Sequence, residues 1–138
     1  MNDKKSLTRF LPHVARVLMG LPLLVFGLNG LFHFLPEPKA AMPEGAMAFL
    51  EALVKSGFML PLIATTQAVA GACLLANRFV PLALALLAPF LVNALAFHLA
   101  LERSGLPIVA VFLLLELYLA WTCRQAFRPM LAMKVPLD

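Results

Sequence analysis

Four apolar runs, at residues 13–35, 60–77, 80–100 and 106–127, dictate what this chain can become. Each approaches the roughly 20 residues that an α-helix needs to cross about 30 Å of hydrocarbon. Lipid offers no water to an open backbone, so each run must satisfy its own peptide groups, as a helix does. Proline sharpens the segmentation: Pro12, Pro61, Pro81 and Pro107 stand where the helices should begin, at first-turn positions that sacrifice no hydrogen bond. Pro36, Gly105 and Pro129 help to end helices one, three and four, and Asn77 and Arg78 break between two and three. With 62% apolar and 13% charged residues, the chain is expected to be a single all-α domain over residues 1–138, a polytopic membrane four-helix bundle. Ala64, Ala68 and Ala72, at four-residue steps, and Gly20, Gly27, Gly30 and Gly71 would let the helices approach closely.

Between the first two runs, residues 44–56 read as a helix too short to span. Glu44, Glu51 and Lys55 share one face, with Met47, Leu50, Leu53 and Val54 on the other, before Gly57 ends it. Such a segment lies in the membrane interface, over the mouth of the bundle, as a lid or as a simple connector.

Charge sets orientation. Lys4, Lys5, Arg9, Arg16, Arg78, Arg124, Arg128 and Lys134 are eight of the eleven positive residues and fall on one side. Lys39, Lys55 and Arg103 fall on the other, beside Glu37, Glu44, Glu51 and Glu102. The positive-inside rule puts both termini in the cytoplasm, and the net charge of +4 reflects topology rather than nucleic-acid binding. The first run is long and lacks a small-x-small cleavage site, so it is expected to be a retained anchor.

Cys73 and Cys123 sit inside apolar runs without C-x-x-C spacing and read as small buried hydrophobes. No nucleophile-base-acid set, glycine-rich phosphate loop or zinc spacing is present in the sequence. What carries chemistry is a set of polar residues inside the runs. Asn29 and His33, four apart, share a helical face near the outer end of run one. Gln67, after Thr65 and Thr66, lies within the first two turns of run two; Asn93 and His98 lie toward the outer end of run three. Glu116 is about 14 Å down run four, near the midplane, at about 1.5 Å of rise per residue. A carboxylate there should be protonated, paired or facing water. Asn29, Gln67 and Asn93 are its expected partners by depth, in a polar layer confined to the outer half. His33 and His98 would relay protons toward Glu116, or would equally be interfacial histidines that cap helix ends in a wet region; joint ligation of a metal or haem is disfavoured, since no third strong ligand lies at their depth.

The segments ARVLMGLPLLVFGLNGLFHFLP at residues 15–36 and PLIATTQAVAGACLLANRFVPLALALLAPFLVNALAFH at 61–98 resemble the DoxX-like family of small four-helix membrane proteins. GLNGLFHF and ANRFVPLALALLAP are the more specific pieces, and the likeness runs over nearly the whole chain. The resemblance implies a multi-pass protein of the bacterial cytoplasmic membrane. The family takes its name from a subunit of a thiosulfate:quinone oxidoreductase, so it also implies a quinone-linked role, with a redox protein or further copies of the chain as partners. On that reading Glu116 exchanges a proton, Asn29, Gln67 and Asn93 hold a quinone or similar lipophilic ligand, and His33 or His98 passes protons outward. The rival is a non-catalytic membrane or assembly partner whose polar layer only specifies helix packing. A solute carrier would need a continuous polar path, which the cytoplasmic half lacks.

Overall fold

In a computed structural model, residues 3–36 and 41–134 are described. Glu37 and Lys39, which entered the charge count, lie outside them, as do the side chains of Lys4 and Lys5. The described chain is all-helical, with 84% helix and no strands. Helix α1 spans Asp3–Phe32, α2 Glu44–Lys55, α3 Met59–Leu75, α4 Val80–Ala100 and α5 Leu106–Thr122, followed by the short α6 at Arg124–Phe127; 3-10 turns occupy Arg103–Gly105 and Arg128–Leu131. Among the described residues, three segments are long and apolar enough to cross a membrane: Thr8–Phe32, Val80–Ala100 and Arg103–Thr122. A fourth candidate combines α2 with α3, two helices that meet at 90°.

Pro81 and Pro107 stand at the first positions of their helices, where the missing N–H has no intrahelical acceptor to lose. Pro12 departs from that pattern. It lies inside α1, which starts ten residues earlier than the apolar run predicted, because proline removes only one internal hydrogen bond and the polar segment before it can still wind. The far end of α1 is also shorter than expected: it stops at Phe32, and His33 takes a left-handed φ of 53°. Run four likewise stops at Thr122, with α6 and a 3-10 turn taking up the residues beyond.

The most intimate packing joins α1 to α3. A Cβ on Gly27 would lie 2.4 Å from the backbone N of Ala68, and one on Gly71 would lie 2.6 Å from the N of Leu24. Only glycine allows this approach of two backbones. Ala64 and Ala68 are buried in the contact as their spacing predicts, whereas Ala72 is exposed. Helix α4 packs on α3 and α5, and α5 returns to α1. Met19, Leu23, Leu74, Leu84, Leu87, Leu91 and Leu119 fill the space between these four. Phe26, Leu62, Val92, Ile108, Leu114 and Leu117 are exposed, as a surface facing lipid rather than water would have them.

The turn from α3 to α4 shows why Asn77 breaks the run. Asn77 N–H donates to the Leu74 carbonyl and Arg78 N–H to that of Cys73, with Asn77 left-handed at φ 54°: a Schellman cap with asparagine in the glycine position.

Candidate functional site

A cavity of about 410 Å³ opens between α2, α3 and α4. Phe49, Leu50 and Leu53 of α2 form one wall, Leu62, Ile63 and Thr66 of α3 another, and Pro89, Phe90, Asn93, Phe97 and His98 of α4 the third. The 90° bend between α2 and α3 creates it, because α2 is carried across the end of α3 instead of continuing along it. Gly57, at φ 74°, sits in the corner in a conformation that other residues adopt at a cost. The face α2 turns inward differs from the one its sequence pattern suggests. Ala46 is fully buried, and Phe49, Leu50 and Leu53 line the cavity, while Met47 and Val54 are exposed. Phe49 meets Phe97 of α4 with ring centroids 5.5 Å apart, a contact that ties α2 over the opening.

Three polar side chains line this otherwise apolar space. Thr66 Oγ1 donates to the Leu62 carbonyl at 2.9 Å. Asn93 Nδ2 donates to the Pro89 carbonyl at 2.8 Å. His98 Nδ1 lies 2.8 Å from the Glu102 carbonyl and 3.1 Å from its Oε2. Both contacts of that nitrogen are to oxygens that only accept, so Nδ1 carries a hydrogen. Glu102 also caps the next turn: its carboxylate accepts from the backbone N–H groups of Ser104 and Gly105 and from the Ser104 hydroxyl. The hydrogen bond from the Ser104 side chain, aided by the backbone N–H groups and by His98, holds the Glu102 carboxyl below its ordinary range. The His98 ring rests on Gly105, where a Cβ would come within 2.1 Å of Cε1. The loop from α4 to α5 is therefore built around this imidazole.

The six residues singled out in the sequence do not form one layer. Asn93 and His98 line the cavity; Asn29, His33, Gln67 and Glu116 do not. No side-chain hydrogen bond among the described residues joins any two of the six. Asn29 is consumed by its own helix end: its Oδ1 accepts from Leu35 N–H at 2.7 Å, while its carbonyl accepts from His33 N–H. His33 is exposed at that cap, and Gln67 is half-buried on α3. Glu116 is 7% exposed on α5, and no hydrogen bond reaches its Oε2. Equal depth is not proximity, because residues at one level can face different neighbours around a helix. No group of three His, Cys, Asp or Glu side chains among the described residues could hold a metal ion. Cys73 and Cys123 are free and half-buried; the Cys123 thiol donates to the Leu119 carbonyl.

Arg16 escaped the sequence reading, which counted it among the charges flanking the first span. It lies within that span, 9% exposed, and its guanidinium donates to the Leu74 carbonyl and to His13 Nδ1. The available signal was its position inside the apolar run, one helical turn beyond His13. The pairing of His98 with Glu102 was equally legible as a spacing of four, although it bridges the end of a helix rather than running along one.

No protein-family model, curated protein or solved structure matches the chain.

Proposed function

We propose that this protein binds a small lipophilic ligand with a polar head, of the quinone type, in the cavity between α2, α3 and α4. One observation carries the reading: a cavity of about 410 Å³ has aromatic and aliphatic walls and only Thr66, Asn93 and His98 as polar lining residues. Small-molecule sites are typically about 300–1,000 Å³, mostly apolar, with a few polar groups that fix orientation. Phe49, Phe90 and Phe97 would embrace a ring, and Asn93 and His98 would meet its head. In this reading α1, α3, α4 and α5 form a four-helix bundle in the bacterial cytoplasmic membrane with both termini inside, and α2 lies in the outer interface as a lid. The resemblance to the DoxX-like family supports a quinone-linked oxidoreductase subunit acting with a redox partner or as a homo-oligomer. The sequence-based site is narrowed: Asn93 and His98 stay, Thr66 joins them, and proton exchange runs through His98, positioned by Glu102, in place of Glu116.

The protein in lipid nanodiscs is expected to bind a short-chain benzoquinone saturably. Leu53→Trp, which fills the cavity from the α2 side, should abolish binding with helix content unchanged. Absence of saturable binding of both the benzoquinone and its hydroquinone by the parent protein overturns the proposal.

A second reading, a non-catalytic membrane partner, has its own support. Asn29 and Arg16 spend their hydrogen bonds on helix ends and on neighbouring helices, as residues that specify packing would. In that case the Leu53→Trp protein would keep its physiological partner.

A further inference from the structure

The polar atoms left uncommitted around the cavity are mostly acceptors, and this restricts the chemistry of the ligand head. Each of the three lining polar groups directs a hydrogen at a protein oxygen that can only accept, so the direction of each bond is fixed without choosing a rotamer or amide orientation. The Thr66 hydroxyl spends its single hydrogen on the Leu62 carbonyl, leaving its oxygen lone pairs. Asn93 must turn its amide nitrogen, not its oxygen, to the Pro89 carbonyl, which leaves Oδ1 and one N–H. His98 commits Nδ1–H to Glu102, so the neutral ring offers only the Nε2 lone pair. Glu102 is itself engaged by Ser104 and Gly105, which anchors the acceptor that sets this tautomer. Three acceptor atoms therefore stand against one free N–H.

We infer that the cavity selects an apolar ligand whose head bears a hydroxyl donor, a phenol or hydroquinone, over the matching carbonyl or ether. The inference rests on the lipophilic-ligand reading above and adds to it the chemical class of the head group. A site built to accept from a hydroxyl discriminates strongly against an analogue lacking it, because its acceptors are then desolvated without a donor. Here Glu102 is a positioning residue: it holds the imidazole so that Nε2, rather than Nδ1, is the free atom.

The test compares 4-nonylphenol with its methyl ether, nearly matched in shape and differing by the O–H. Binding is measured to the full-length protein in nanodiscs, with membrane partitioning removed by parallel titration of protein-free nanodiscs. The phenol is expected to bind about tenfold more tightly than the ether, as one net hydrogen bond provides. Thr66→Val, which removes only an acceptor, should weaken phenol binding and leave the ether unchanged, and Asn93→Leu, which also removes the free N–H, should weaken the phenol more than the ether. Retention of helix content and a single gel-filtration peak identifies folded variants; should one fail, the other serves alone, and the phenol-to-ether ratio on the parent protein needs neither. Equal affinity for the two probes, or tighter binding of the ether, overturns the selectivity while leaving the cavity a ligand site. Saturable binding of neither overturns the lipophilic-ligand reading, and the selectivity with it.

Discussion

Arg16 Nη1 of α1 donates to the Leu74 carbonyl near the end of α3 at 2.9 Å, across 58 residues of sequence. The same carbonyl accepts from Asn77 N–H in the Schellman cap, so a guanidinium from one helix completes the C-terminus of another. A cation at that end also opposes the negative pole of the helix dipole. Arg16→Met should destabilise the protein by about 1.5–3 kcal/mol, the range for a hydrogen bond to a charged group. Arg16→Lys, with a point charge in place of the planar fork, should recover only part of the loss. Thermal unfolding in a mild detergent checks both; an unchanged midpoint for Arg16→Met would remove the role assigned to this contact.

Glycine substitutions should rank by what they strike. Gly27→Ala drives a methyl into the backbone of Ala68 and Ala64, atoms that cannot rotate away. It should cost about 3 kcal/mol, the upper part of the usual overpacking range. Gly57→Ala meets no atom within 4 Å but must hold φ 74°, for about 1–2 kcal/mol. Gly45→Ala, whose Cβ would meet only Leu101 Cδ2 at 3.4 Å, should be close to neutral. Midpoints measured in one detergent should fall in that order.

Acid should loosen the turn between α4 and α5. The carboxyl of Glu102 titrates below its ordinary value of 4.5 in the folded protein, chiefly because the Ser104 hydroxyl donates to it. The unfolded chain thus binds a proton more readily, and stability rises with pH across this window. The contribution is complete above pH 4.5 and is lost as pH falls through the lower, folded value. Glu102→Gln should flatten the acid side of a plot of unfolding midpoint against pH, below pH 4.5. An unaltered acid slope would show that the carboxylate contributes nothing there.

Glu116→Leu should raise stability. The carboxyl is buried on α5 with Oε2 unpartnered, and an unsatisfied buried oxygen costs about 1–3 kcal/mol that a leucine of similar length avoids. Because Glu116 does not line the cavity, benzoquinone affinity should stay within a factor of two. A variant that is stabler but no longer binds would return Glu116 to the site.

Helix positions were legible in the sequence to within a few residues wherever proline or a left-handed break coincided with the edge of an apolar run. Pro81, Pro107 and Asn77 mark such edges because their backbone chemistry acts locally. Pro12 misled, since a proline that can start a helix can also be carried inside one. The candidate site was only half legible. Asn93 and His98 belong to the cavity, but its aromatic walls come from Phe49 and Phe97, ordinary members of apolar runs until the bend after α2 brings them together. Asn29 and Glu116 matched Asn93 in depth, and depth follows from residue counting. Azimuth around each helix follows from packing, which in a chain apolar on every face leaves no period to read.

The short length of α3 has a consequence for the surrounding lipid. Its 17 residues reach about 25 Å, less than the roughly 30 Å of a typical hydrocarbon core. With α3 as the fourth span of the proposed bundle, acyl chains beside it would compress, or its end would sink below the headgroups, and hydrophobic mismatch of this kind is relieved where the bilayer is thinnest. Since α2 turns aside at that end, the thinned leaflet meets the protein beside the cavity. In the ligand-binding reading proposed above, a lipophilic molecule would then arrive sideways from the adjoining leaflet, at its membrane concentration, without first dissolving in water.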